Sequence, residues 1–127
     1  ETRCLTPLTE FEVPKPALPE YQALIEKISA RLSHPWTLAD IAHLLNISER
    51  TVSRQFTQQT GLSFIEWLRR LRLQHSLELL LQGQSVIDVA LAVGYDSPSA
   101  FSTAFKQRIG LSPTQYVAGY QHNFSQV

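Results

Sequence analysis

The chain repeats itself, and a repeat limits the possible folds more than any single motif does. Residues 37–67, TLADIAHLLNISERTVSRQFTQQTGLSFIEW, align with residues 85–116, SVIDVALAVGYDSPSAFSTAFKQRIGLSPTQY. With a register of 48, Thr37 falls on Ser85, Asp40 on Asp88, Ile41 on Val89, Ala42 on Ala90, Leu45 on Val93 and Asn46 on Gly94. One extra residue in the second turn moves the register to 49. Val52 then falls on Phe101, Phe56 on Phe105, Gly61 on Gly110, Leu62 on Leu111, Ser63 on Ser112 and Trp67 on Tyr116. Capping, core and glycine positions repeat together, as expected of one supersecondary unit used twice.

Between the copies lies SFIEWLRRLRLQHSLELLLQ, from Ser63 to Gln82, which reads as one long helix. Ser63 caps it, Glu66 three residues on completes a capping box, and Gly83 stops it. Leu68, Leu71, Leu77 and Leu80, at spacings of three, six and three, are expected to share one helical stripe. At about 1.5 Å per residue this helix spans roughly 30 Å, enough to act as a strut between the two copies.

Within the first copy, Thr37 caps a short helix to Leu45, with Asp40 placed to reach back to the cap. Asn46, like its counterpart Gly94, tolerates a left-handed backbone, so a tight turn is expected at the same point of each copy. A second helix starts near Ser48 and runs to about Thr60. Val52 and Phe56 face inward, while Glu49, Arg50, Ser53, Arg54, Thr57 and Gln58 face outward. Ala42 and Ala90 are small enough to let two helices cross closely, and helix, short turn, helix at a steep angle is a helix-turn-helix. In the second copy Ser85 caps the first helix, with Asp88 closing its box. Ser97-Pro98 starts the second, a cap followed by proline at the first helical position. Phe101 and Phe105 are its buried pair, and Ser99, Ser102, Thr103, Lys106 and Gln107 face outward. Ser112-Pro113 starts a closing helix with Tyr116 and Val117, and the tail beyond Gly119 is expected to fray.

The fold class that follows is all-α: two helix-turn-helix subdomains joined by a long central helix, about seven helices in total. The expected boundaries are a proline-rich linker over 1–19, the first subdomain over 20–62, the connecting helix over 63–82, the second subdomain over 83–120 and a tail over 121–127. Within the first subdomain, Glu20 to Leu32 reads as an amphipathic helix with Tyr21, Leu24, Ile25, Ile28 and Leu32 on one face, ended by His34 and Pro35.

Composition removes several classes of function. A single cysteine, Cys4, excludes an internal disulfide and a multi-cysteine metal site, and suits a reducing cytoplasm. His34, His43, His75 and His122 lack paired ligand spacing, so no metal is assigned. No glycine-rich phosphate loop, serine nucleophile elbow or carboxylate pair occurs, so no cofactor and no catalytic residue is assigned and the chain is not read as an enzyme. Glu78 and Asp88 break the two longest apolar stretches well short of a membrane span. The chain opens with Glu1 and has no methionine, which suggests a piece of something longer. Net charge is zero, yet residues 50–72 carry Arg50, Arg54, Arg69, Arg70 and Arg72 against Glu66, a local excess of four positive charges. That is the kind of footprint a phosphate backbone needs, although Arg69 and Arg70 could equally solvate the strut. Trp36 reads as packing rather than as a platform for a base.

These residues carry a resemblance. D-I-A-x-x-L-x-I-S, T-V-S-R-x-F and T-G-L-S-F in the first copy, R-L-x-x-S-x-x-L-L from Arg72 to Leu80, and D-V-A-x-x-V-G-Y-D-S-P-S-A-F-S-x-x-F-K with G-L-S-P-x-x-Y in the second are similar to the DNA-binding domain of the AraC/XylS family of bacterial transcription regulators. The match runs from about Thr37 to Val117. The resemblance implies sequence-specific binding of double-stranded DNA, with two recognition helices in successive major-groove segments; the expected strut is compatible with one duplex turn of about 34 Å. By resemblance, Arg50, Ser53 and Arg54 read bases in the first copy, and Pro98, Ser99, Ser102 and Thr103 in the second. Phosphate contacts are expected from Thr37, Glu49, Gln58, Ser85, Ser97 and Lys106. Thr103 and Val117 stand where the family commonly has arginine, so the first copy is expected to dominate specificity. The further partners implied are RNA polymerase and an effector-binding or dimerisation domain upstream, in a cytoplasmic, nucleoid-associated protein whose isolated domain is monomeric. The alternative is a protein-interaction module that docks on the transcription machinery without a DNA site of its own. A groove-reading face suits arginines and short polar groups; a docking face would expose aromatics or leucines, and Glu49 to Gln58 exposes none.

Overall fold

The computed structural model describes residues 13–125, with side chains described as far as Gly119. Cys4, the first twelve residues of the expected linker, the His122 side chain and the last two residues lie outside that range. The described residues contain seven helices and no strand: α1 (Pro19–Ala30), α2 (Leu38–Leu45), α3 (Glu49–Thr60), α4 (Phe64–Leu81), α5 (Val86–Ala92), α6 (Pro98–Ile109) and α7 (Pro113–Ser125). They fall into two compact units, 13–72 and from 73 onward, with the break inside α4.

In the first unit the local signals do what their chemistry demands. The Thr37 amide donates to Asp40 Oδ2 at 2.9 Å and the Asp40 amide donates to Thr37 Oγ1 at 3.2 Å, a full capping box at the start of α2. Helix α2 ends on Asn46, the single non-glycine residue at positive φ among those described, at φ 57° and ψ 44°. Two residues later Ser48 Oγ accepts the Thr51 amide at 3.1 Å and opens α3. The turn is short because the left-handed residue reverses the chain within a few peptides. Behind α3, Phe56 meets three rings edge-on: Tyr21 at 5.2 Å, Phe64 at 5.3 Å and Trp67 at 5.3 Å between centroids. Ile41, Val52, Leu24, Ile28 and Leu68 complete this core.

One part of the expected linker belongs to this unit. Val13 and Pro16 are buried, the Trp67 indole Nε1 donates to the Pro14 carbonyl at 2.7 Å, and the Ala17 amide donates to Gln59 Oε1 at 2.9 Å. A buried indole N–H must find an acceptor, and an extended proline-rich segment offers bare carbonyls. Residues 13–18 are therefore a strap laid along the first unit.

The second unit repeats the plan. Ser85 Oγ takes the Asp88 amide at 3.1 Å, and Ser97 Oγ takes the Ala100 amide at 3.1 Å, with Pro98 at the first turn of α6. Gly94, at φ 96°, holds the place of Asn46. Ser112 and Gln115 form a reciprocal capping box at α7, with bonds of 3.0 and 3.1 Å. Leu73, Leu77, Leu80, Val89, Ala90, Val93, Phe101, Phe105 and Tyr116 make the core. The four leucines expected on one stripe of α4 therefore divide: Leu68 and Leu71 belong to the first core, and at 100° per residue Leu77 comes half a turn round from Leu68. Helix α7 runs through Gly119 to Ser125, beyond the point where fraying was expected. One interior glycine costs only about 1 kcal/mol relative to alanine, too little to end a helix already capped and packed.

Because Phe56 is fully buried against three rings, Phe56→Ala should destabilise the first unit by about 3–5 kcal/mol. Urea unfolding followed by tryptophan fluorescence, to which Trp36 and Trp67 of this unit contribute, measures it.

Candidate nucleic-acid interface

Helix α3 has two sides set by its 100° advance per residue. Val52 and Phe56 are wholly buried. The opposite side carries Arg50 and Arg54, both exposed, with Ser53 half-buried between them and Thr57 exposed one turn on. The Thr57 hydroxyl donates back to the Ser53 carbonyl at 3.1 Å. Among the described residues neither Arg50 nor Arg54 has an ion-pair partner. Two guanidinium forks with donors unspent, on one edge of a helix whose other edge is anchored in a core, form a surface suited to bidentate acceptors.

The remaining arginines of the basic stretch are used differently, so its charge is less concentrated outward than the sequence indicates. Arg72 Nε and Nη2 donate to the Leu32 and His34 carbonyls at 3.3 and 3.0 Å, tying α4 to the loop after α1. Arg69 and Arg70 lie 3.9 and 3.7 Å from the Glu66 carboxylate. Arg69 keeps 62% of its side-chain surface exposed, so it retains reach. Trp36 donates its indole N–H to the Arg31 carbonyl at 2.8 Å and sits edge-on to His34, a packing role as read.

Of the residues expected at phosphates, Thr37, Glu49, Gln58, Ser85 and Lys106 are exposed and Ser97 is half-buried. The oxygens of Thr37, Ser85 and Ser97 already accept an amide of their own helix, leaving the hydroxyl proton to offer outward. On α6, Pro98, Ser99 and Thr103 are exposed and Ser102 is half-buried. In the register of 49, Arg50 corresponds to Ser99, Arg54 to Thr103 and Thr57 to Lys106. The two helices thus share a core pattern and differ in what they present. Helix α5 exposes an apolar pair, Ile87 at 59% and Leu91 at 55%.

Two contacts behind this edge escape a sequence reading. Tyr21 is buried, and its hydroxyl donates to Gln55 Oε1 at 2.5 Å. Burial, and secondarily the Glu20 charge, raises its phenol above the usual 10.0, so the donor is retained. Gln59 holds the strap through Ala17. Gln55 and Gln59 are four residues apart on a stripe belonging neither to the core nor to the outer edge, and that spacing is the signal that could have found them. No group of three or more histidine, cysteine, aspartate or glutamate side chains that could hold a metal occurs among the described residues. No described helix is long and apolar enough to cross a membrane.

Comparison with known proteins places this geometry. A helix-turn-helix domain profile matches residues 41–119. The chain is 36% identical over 106 residues to the transcriptional activator RhaR of Klebsiella pneumoniae, covering 80% of this chain and 38% of that protein. An AraC-type DNA-binding transcriptional regulator from Chromobacterium violaceum superposes with a TM-score of 0.72 at 27% identity, over 79% of this chain and 90% of that one. The DNA-binding domain of the global transcriptional factor AdpA, solved with a target DNA, superposes with a TM-score of 0.77 at 28% identity, over 86% and 98% of the two chains. The chain spans about two fifths of the length of curated relatives that it matches, among them this RhaR activator.

The Tyr21 bond gives a pH test. A phenol whose pKa is raised on folding contributes stability that is present below 10 and is lost as pH rises through the folded value. Tyr21→Phe should be less stable than the parent by about 1 kcal/mol at neutral pH. Urea midpoints measured on both proteins should converge as pH climbs past the ordinary phenol value.

Proposed function

The chain belongs to the AraC-type helix-turn-helix family, and on that basis we propose that it binds double-stranded DNA sequence-specifically to regulate transcription. The observation that carries this reading is the α3 edge, where Arg50 and Arg54 stand exposed with no ion-pair partner among the described residues. In this reading each unit lays its second helix in a major-groove segment. Arg50 and Arg54 take guanine O6 and N7, and Ser53 reads beside them. On α6, Pro98, Ser99, Ser102 and Thr103 approach bases with short side chains. Thr37, Gln58, Ser85, Ser97, Lys106 and the Glu49 amide hold phosphates. The first unit dominates specificity, because only it brings guanidinium forks to the groove.

The same reading makes this chain the DNA-binding part of a longer cytoplasmic, nucleoid-associated regulator with an effector-binding or dimerisation domain upstream; the greater length of its relatives supports this. By itself the domain is monomeric, since one chain supplies both reading helices, and it performs no catalysis. Protein docking has one observation in its favour, the exposed Ile87 and Leu91 on α5. It is consistent with RNA polymerase as a second partner of a DNA-bound activator.

Arg54→Ala should weaken binding to the preferred site by about 1–3 kcal/mol and relax one base position, whereas Lys106→Ala should weaken all duplexes alike and lower the salt slope by about 1. Titration of labelled duplexes at several salt concentrations reads both. Unchanged affinity and selectivity in Arg54→Ala would remove the basis of the reading.

A further inference from the structure

Three long-range hydrogen bonds converge on the first unit's reading helix and its neighbour. The Ala17 amide donates to Gln59 Oε1, the Tyr21 hydroxyl donates to Gln55 Oε1, and the Trp67 indole donates to Pro14. At 100° per residue, Gln55 and Gln59 lie roughly 170° around α3 from the centre of the edge formed by Arg50, Ser53, Arg54 and Thr57. Neither glutamine can touch a groove that the arginines occupy. The Ala17–Gln59 bond is solvent-exposed, so its net contribution to stability is small. Its geometric effect is larger. A roll of α3 by roughly 15° carries a guanidinium about 8 Å from the axis through roughly 2 Å. A hydrogen bond tolerates only about 0.5 Å in distance.

The second copy supplies an internal control. In the register of 49, Gln55 falls on Ala104 and Gln59 on Arg108, so neither glutamine recurs on α6. It also lacks the arginines that would need them. The two glutamines and the base-reading forks occur together on one helix of the two.

We propose that Gln55 and Gln59 are positioning residues for base reading: clamped by Tyr21 and by the 13–18 strap, they fix the roll of α3 and thereby the aim of Arg50 and Arg54. This rests on the DNA-reading role assigned to α3 above. The strap is accordingly part of the specificity apparatus, although it contacts no base.

The test uses the full 127-residue chain, an operator selected with it from random duplexes, and a scrambled duplex of equal length. Gln59→Ala and Tyr21→Phe should each lose about tenfold in affinity for the operator, within the range one misaligned bidentate arginine–guanine pair accounts for. Affinity for the scrambled duplex and the salt slope should stay as in the parent. Gln59→Glu keeps an oxygen acceptor for the Ala17 amide on the side away from DNA, and should retain the parent's operator-to-scrambled ratio. A merely structural role predicts something else, whatever the urea midpoint does: both affinities falling together or neither changing. An unchanged ratio in Gln59→Ala and Tyr21→Phe would overturn the positioning role while leaving the DNA-binding reading intact. Failure of the parent to select any operator would overturn both.

Discussion

Phe56 is wholly buried at the back of α3 and meets Tyr21, Phe64 and Trp67 edge-on, all within 5.3 Å between centroids. Every other feature of the first unit depends on that cluster. It fixes α3 against α1 and α4, and so decides which side of α3 is left for solvent. Edge-to-face rings have preferred tilts as well as preferred distances, so the cluster resists rotation more than an aliphatic core of equal area does. The Tyr21 hydroxyl extends the same cluster into a polar contact on Gln55. The outward arginines inherit their placement from this packing.

Both copies keep that internal logic and differ outside. Phe105 takes the place of Phe56, with Phe101 at 5.6 Å and Tyr116 at 5.8 Å. Gly94 takes the place of Asn46, and hydroxyl caps, Thr37 and Ser48 in one copy and Ser85 and Ser97 in the other, open the helices of both. Packing tolerates few alternatives at such positions, because a lost ring leaves a cavity and a β-branched residue at positive φ is strained. The surface is under no such constraint. There the register pairs Arg50 with Ser99 and Arg54 with Thr103, and two similar units acquire unequal chemistry.

Local signals made most of the architecture legible. Caps three residues before the amides that donate to them, left-handed turn residues at matched points and a 3–4 apolar spacing each act within one or two helical turns, so they can be read without knowing the fold. The first helix, both helix pairs, the long helix and the buried Val52, Phe56, Trp67, Phe101, Phe105 and Tyr116 followed from them. Contacts made across long stretches of chain did not. The strap joins Pro14 to Trp67 and Ala17 to Gln59, separations of 53 and 42 residues, and its prolines resemble those of a free linker. Arg72 looked like surface charge, yet it closes the loop after α1 through two carbonyls. A side chain's destination depends on acceptors supplied from elsewhere. The outer edge of α3 was legible as polar and basic, but the glutamines behind it were not.

An unequal reader, with specificity concentrated in the first unit, is tested most directly by selecting binding sites from random duplex DNA with the whole chain. The account predicts one strongly enriched block containing guanine, a second and weaker block, and affinity that falls steeply as salt rises. Absence of any enriched motif, together with salt-independent binding, would contradict it.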